Sequence, residues 1–179
     1  NFHTDVFASF SRSLDQLFNA CAAETGCNAA YPNLGAAYDT MIARLNAAPA
    51  QVPILNPQDG TVITLLLVSG VDVGQIIFQL FYGTQAIPLL PALIGETSAG
   101  NYELLGLLIG ILLAPDESGL LTFSLGMQVA VQCNEDATYA SAEDFVIARD
   151  TNRRAAPLAH SVIFNEAILD VCAAWGLGT

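Results

Sequence analysis

The chain has 179 residues, of which 53% are hydrophobic and only 12% are charged, and its formal net charge is −12 at pH 7. This length fits one domain, but a soluble domain ordinarily carries about twice that share of charge, so we expect part of the apolar surface to face a partner, a second domain or a ligand. A chain this acidic is repelled by phosphate backbones and by anionic lipid, which argues against nucleic-acid and membrane-surface binding.

The first part of the chain has the pattern of two helices. Apolar residues recur at intervals of three and four from Val6 to Cys21, which is the spacing of a helix with one buried face. A second such stripe begins at about Asn33 and runs to Leu45, with Pro49 beyond its end. These segments predict an antiparallel helical hairpin.

The four cysteines permit three pairings. Cys21 and Cys27 flank a short segment that contains Gly26, which favours a local bridge and leaves Cys133 to pair with Cys172. In the chain-entropy model the long loop contributes about 4 kcal/mol and the short one about 2 kcal/mol. Two bridges indicate an oxidising compartment, so we expect a secreted, periplasmic or cell-envelope protein. Four buried thiols are the alternative; a zinc site is disfavoured, because there is no Cys-x-x-Cys and the two histidines lie far apart in sequence.

One clear β signal follows the helical hairpin. It consists of residues 51–55, a turn at 56–60 and a β-branched run at 61–65, and it predicts a hairpin over about 51–67. A lone two-stranded hairpin is only marginally stable, so this one must lie on another element.

From Val71 onward the pattern returns to helix. The predicted segments are 71–82, 86–99, 101–114, 117–133, 141–151 and 157–174. The stretch 104–113 is apolar on nearly every face, so its helix is either central or covered by something absent from the chain. The sequence therefore predicts a mainly α fold of several helices with one small β-hairpin.

Neither a membrane span nor a signal peptide is predicted. The uncharged stretch from Val73 to Gly95 is long enough to cross a bilayer, but three glutamines and two prolines interrupt it. The first five residues contain neither a basic start nor an apolar core. We therefore expect a mature or excised piece.

No complete catalytic apparatus is recognisable in the sequence. A serine hydrolase on an α/β sheet needs Gly-x-Ser-x-Gly, because its nucleophile sits on a strained turn. Ser98 and Ser124 each have a glycine two residues later but none two residues before. We predict that His160 packs inside the last helix, with a general base as the alternative, and that His3 lies in a frayed end. The sequence thus predicts no catalytic residue, metal site or cofactor in this chain.

Two adjacent carboxylates, Glu135 and Asp136, follow an apolar helical run that contains Cys133. A paired general acid and base, as in glycosidases, is disfavoured because neighbours in sequence seldom flank one bond from opposite sides. A solvated pair at a helix end is the second interpretation. The third is a carboxylate that points into a cleft and holds a cation by charge-assisted hydrogen bonds. The pairs Asp116-Glu117 and Glu143-Asp144 stand near predicted helix starts, where the helix dipole favours negative charge.

Three aromatic residues, Phe78, Phe81 and Tyr82, precede the apolar residues of the next predicted helix. Together they form a dense apolar surface across two helices. Core packing is the favoured interpretation of these aromatic residues, and the roof of a substrate pocket is the alternative.

Five segments resemble, in order and spacing, the cap domain of secreted α/β-hydrolases of the tripeptidyl-aminopeptidase and proline-iminopeptidase type. They are Arg12–Cys21, Cys27–Pro32, Ala43–Pro49, Val131–Asp136 and Cys172–Trp175. The resemblance spans nearly the whole chain and implies a single helical lid over residues 1–179, excised from a hydrolase whose catalytic sheet domain is absent. It also implies the pairings Cys21 with Cys27 and Cys133 with Cys172.

The resemblance implies a function as well. The lid would cover the catalytic serine of the missing α/β-hydrolase core, shape the pocket for a small peptide or ester, and offer Glu135 or Asp136 to the substrate's free α-amino group. We expect no hydrolysis by this chain alone. Two alternatives stay open: a standalone exported protein that carries an apolar ligand between the helices spanning 71–113, and a module whose exposed apolar helices pair with a second copy.

Overall fold

The computed structural model describes residues 2–113 and 124–176, and these form two compact units. The terminal unit contains the described residues up to Ser13 and those from Ser124 onward, and the central unit runs from Leu14 to Leu113. The first helix, α1 (Phe2–Ala23), contributes residues to both. The described residues are mainly helical and contain one two-stranded antiparallel sheet, which confirms the predicted fold class.

The central unit begins in the region for which the sequence predicts two helices. Helix α1 is followed by the short helix α2 (Thr25–Ala30) and by α3 (Leu34–Ala47). A disulfide joins Cys21 to Cys27, as predicted. The faces that the sequence pattern marks as apolar are buried, with Leu14, Tyr38, Met41 and Leu45 among the fully enclosed side chains.

Strands β1 (Ala50–Leu55) and β2 (Val62–Val68) pair from Ala50 opposite Val68 to Leu55 opposite Val62, with an irregularity between Ile54 and Leu55. Helices α4 (Gly70–Leu80), α5 (Leu90–Ala99) and α6 (Glu103–Leu113) complete the central unit, and a 3₁₀ turn (Ile87–Leu89) precedes α5. Their bounds agree with the predicted segments to within a few residues.

Helix α6 lies directly on strand β1, which confirms that the hairpin rests on another element. A Cβ atom on Gly106 would lie 1.9 Å from the Pro53 carbonyl oxygen, and one on Gly110 would lie 1.9 Å from the Leu55 carbonyl oxygen. The two glycines are four residues apart, so they share one helix face. Their missing side chains allow the helix to approach the strand backbone, which buries Val52 and Ile54.

The terminal unit contains the start of α1 and the helices α7 (Leu125–Glu135), α8 (Ala142–Thr151) and α9 (Ala167–Ala174). Of the predicted helix 117–133, residues 117–123 lie outside the described residues, as does the acid pair Asp116-Glu117. His3 is not in a frayed end, as the sequence predicted: it is fully buried, and its Nδ1 lies 2.7 Å from the carbonyl oxygen of Ile163.

The prediction of one helix over 157–174 is wrong. The structure has 3₁₀ segments at Arg153–His160 and Val162–Phe164, and only then α9. Asn165 has an extended backbone, and its side chain accepts a hydrogen bond from the Ala167 N–H at 2.8 Å, so it competes with helical pairing. His160 is therefore exposed at the end of a 3₁₀ segment rather than packed inside a helix.

Helix α2 begins at an acidic cap. The Glu24 carboxylate accepts hydrogen bonds from the backbone N–H groups of Cys27 at 2.5 Å and Gly26 at 3.0 Å. These two bonds, with Cys27 the larger cause, hold the pKa of Glu24 below its ordinary value.

We expect Glu24 to stabilise the central unit near neutral pH and to lose this stabilising effect in acid. Because its pKa is lowered by folding, its contribution is present above the ordinary value of 4.5 and is lost as the pH falls through the lower folded-state value. Glu24→Gln should therefore lower the thermal midpoint near neutral pH more than it does well below pH 4.5. Glu103→Gln, at an exposed position in the first turn of α6, controls for the loss of one charge. If the effect of Glu24→Gln on the thermal midpoint does not change with pH, the stabilising role of the Glu24 carboxylate at the start of α2 is contradicted.

Candidate functional site

The candidate site lies at the end of α7, which a disulfide holds in place. Cys133 and Cys172 are bonded, with their Cα atoms 5.3 Å apart, and this confirms the second predicted pairing. Both are buried in a core cluster that also contains Val129, Phe145 and Ile168. The bridge therefore ties α7 to α9 inside the core, so the backbone that carries the acid pair is anchored on its inner side.

The outer side of α7 forms an apolar strip that ends in a carboxylate. Met127 is 69% exposed, Val131 is also exposed, and Glu135 follows at the same four-residue spacing. The indole of Trp175 lies beside the start of this strip, because a Cβ atom on Gly126 would be 3.8 Å from it. We call Met127, Val131, Glu135 and Trp175 the α7 wall.

The structure distinguishes the two acids. Glu135 is the last residue of α7 and is exposed. Asp136 is the half-buried C-terminal capping residue, and its backbone N–H donates to the Gln132 carbonyl oxygen at 3.0 Å. Glu135 is thus the acid that belongs to the α7 wall, while Asp136 turns the chain into the 3₁₀ segment Ala137–Tyr139.

The negative charges of Glu135 and Asp136 are placed unfavourably at the C-terminal end of α7. The C-terminal end of a helix carries partial negative charge, which disfavours carboxylates, and the last turn of α7 has no basic residue. The pair Glu143-Asp144 differs, because it lies in the first turn of α8, where Asp144 forms a capping box with Ser141. Hydrogen bonds from Ser141 lower the pKa of Asp144. The helix dipole therefore accounts for the acids of α8 but not for those of α7.

Gln132 is a buried polar residue that the sequence pattern did not single out. It lies one turn before Glu135, and its side-chain oxygen has no hydrogen-bond partner among the described residues. An unpaired buried acceptor costs about 1–3 kcal/mol, so it is an unusual feature of a folded core. Helical periodicity predicts neither the burial of Gln132 nor the exposure of Trp175.

The three predicted aromatic residues belong to the central unit and differ in burial. Phe78 is buried, Phe81 is half-buried and Tyr82 is 68% exposed. The rings of Phe78 and Tyr82 meet edge to face, with centroids 5.3 Å apart. Phe78 is thus a core residue, whereas Tyr82 shields it and remains accessible.

The central unit also has an open apolar groove of about 390 Å³. One side is a stripe of α4 that contains Asp72, Ile76 and Gln79, and the other side is formed by β2 and the end of α6, including Leu67 and Leu112. The groove lies within the part of the chain where the sequence suggested an apolar ligand.

The remaining candidates take structural positions. Ser124 is the N-cap of α7, where its hydroxyl accepts from the Met127 N–H at 3.2 Å, and Ser98 is half-buried in α5. Within residues 2–113 and 124–176, no three His, Cys, Asp or Glu side chains are grouped to hold a metal ion. In the same ranges, no helix has the length and apolarity needed to cross a bilayer.

Comparison of this chain with protein-family models, with curated proteins and with solved structures finds no significant match.

Proposed function

We propose that this chain is the substrate-covering and substrate-selecting lid of a secreted serine α/β-hydrolase, an aminopeptidase, and that it does not break bonds itself. The α7 wall carries this proposal, because an apolar strip that ends in an exposed carboxylate suits a substrate with an apolar side chain and a free ammonium group. The sequence resemblance to hydrolase cap domains supplies the partner, a catalytic sheet domain. The two disulfides are compatible with export.

In this function the lid acts by binding and by excluding water. Glu135 accepts charge-assisted hydrogen bonds from the substrate's α-ammonium group, which also offsets the negative end of α7. Met127 and Val131 contact the apolar part of the substrate and keep water away from the bond to be cleaved. The sheet domain provides the nucleophile, oxyanion hole, acid and histidine. The lid provides binding energy, which raises the rate of the reaction by orienting the substrate.

The test uses the lid joined to its sheet domain and a pair of substrates, one with a free N-terminus and one with an acetylated N-terminus. We expect Glu135→Gln to raise KM for the free substrate by roughly 10- to 100-fold, the worth of about 1.4–2.8 kcal/mol from one charged hydrogen-bonded contact. The acetylated substrate should be affected much less, because it has no ammonium group.

Two controls make this result specific. Asp136→Asn changes the half-buried neighbour, and Glu143→Gln removes one exposed charge at the start of α8. Both should change the preference for a free N-terminus less than Glu135→Gln does. Equal losses for the two substrates in Glu135→Gln, or strong turnover by the 179-residue chain alone, would contradict the proposal.

A second candidate function is that of an exported carrier of an apolar ligand, and the groove of the central unit favours it. Its volume of about 390 Å³ lies at the lower end of the range of small-molecule pockets. Mass spectrometry of the purified chain under native conditions would detect a lipid that stays bound during purification. The carrier function requires such a ligand, whereas the lid function does not.

A further inference from the structure

Strand β2 is exposed along almost its whole length. Among its apolar residues only Val68 is buried, while Leu65 is 58% and Leu67 is 70% exposed. Residues 62–68 contain no charged residue and no proline. Natural edge strands usually carry such residues to prevent pairing with another chain. The irregularity between Ile54 and Leu55 lies at the far end of the pair and leaves residues 64–68 in regular register.

The composition of β2 is that of a covered strand. Leu66 pairs with Val52 on the face that β1 buries, whereas Leu65 and Leu67 point to the opposite face. Apolar residues on both faces are typical of strands that are covered on both sides. Within the described residues β2 pairs only with β1, and alternate backbone groups on its other edge point away from β1.

We propose that β2 pairs with the β2 strand of a second copy of this chain, antiparallel about a two-fold axis, to form a continuous four-stranded sheet. An edge strand is completed by another strand, and an antiparallel copy of β2 is complementary to itself because no charge meets a like charge within residues 62–68. This inference does not depend on the proposed lid function.

Exposed apolar side chains adjoin the free edge of β2 on both faces of the sheet. The surface consists of five side chains of β2 and two from the end of α6, which adjoin them across the groove. They are Val62, Ile63, Leu65, Leu66, Leu67, Leu112 and Leu113. At roughly 100 Å² each they present on the order of 700 Å² per protomer over the two faces of the sheet, and an edge-to-edge partner buries the part of this surface that lies next to β2.

The flanking charges make the dimer salt-dependent. Asp59 precedes β2 and Asp72 follows it, and both are exposed. Antiparallel pairing brings the Asp59 end of one copy toward the Asp72 end of the other, and each copy carries a net charge of −12. Added salt screens this repulsion and should strengthen the dimer.

The test measures the mass of the 179-residue chain by sedimentation as its concentration is varied. We expect a monomer–dimer equilibrium that shifts toward dimer with salt, and Leu65→Lys/Leu67→Lys should raise its dissociation constant at least ~100-fold. The matched control is Val146→Lys/Ile147→Lys, which adds the same charge at two exposed apolar residues of α8. Both variants reduce the net negative charge equally, so a loss of dimer in the β2 variant alone reflects the changed strand and not the change in net charge.

Amide hydrogen exchange of the unmodified chain gives a second readout. Residues 64–68 should exchange more slowly as the dimer forms, because their outward N–H groups become hydrogen-bonded. A monomer at all concentrations, a dimer that the β2 substitutions leave unchanged, or a monomer with an amphiphile bound in the groove would each overturn the proposal.

Discussion

Gly106→Ala should destabilise the central unit by about 2–4 kcal/mol or prevent it from folding. The new Cβ atom would lie 1.9 Å from the carbonyl oxygen of Pro53 and 3.0 Å from its carbon. These are backbone atoms of a strand whose neighbours Val52 and Ile54 are buried, so the strand cannot move without opening the core. Denaturant unfolding followed by circular dichroism measures the loss.

Gly83→Ala is the matched control for this substitution. Gly83 lies after α4, and the nearest atoms to a Cβ there are 3.7 and 3.8 Å away, which is ordinary van der Waals contact. Alanine favours a helix over glycine by about 1 kcal/mol, so a loss at Gly106 reflects the contact with β1 and not helix propensity. Equal stability of the Gly106→Ala variant and the unmodified chain would contradict the close packing of α6 on β1.

Removal of the Cys133–Cys172 disulfide should lower the free energy of unfolding by about 4 kcal/mol, more than removal of Cys21–Cys27, for which we expect about 2 kcal/mol. The sequence separations are 39 and 6 residues, and a longer closed loop restricts the unfolded chain more. Both residues of the long bridge are also buried in the core of the terminal unit. Paired Cys→Ala variants, unfolded thermally, provide the comparison.

The two double variants serve as controls for each other, because each removes two sulfur atoms and one covalent bond. Reductant applied to each double variant removes its remaining bridge, and the further loss should be larger for Cys21→Ala/Cys27→Ala, which retains the long bridge. A larger loss for the Cys21→Ala/Cys27→Ala variant would contradict the account of the terminal unit, in which the long bridge anchors the helix end that carries Glu135.

The sequence predicted most helices correctly because a single buried face leaves a clear period. It failed over 157–174 because a local hydrogen bond competes with the helix: the Asn165 side chain accepts from the backbone N–H two residues later. It also ended the second strand slightly early, since the apolar run that continues to Val68 fits a helix or a strand equally well.

The candidate site was predicted in part. The sequence placed an acid pair at the end of a helix but did not distinguish Glu135 from Asp136, because that difference comes from the capping geometry and not from periodicity. The same limit applies to Phe78 and Tyr82, which are four residues apart and in contact, yet only the first is buried. Burial at a surface helix depends on the elements that cover it, which a single sequence does not specify.

The proposed lid function is tested most directly by sequencing the gene on both sides of the region that encodes these 179 residues. We expect the upstream sequence to encode a strand followed by Gly-x-Ser-x-Gly, and the downstream sequence to encode the aspartate and histidine of the triad. A complete gene that starts and stops with these residues, without hydrolase sequence on either side, would contradict the proposal that the chain covers the active site of a larger enzyme.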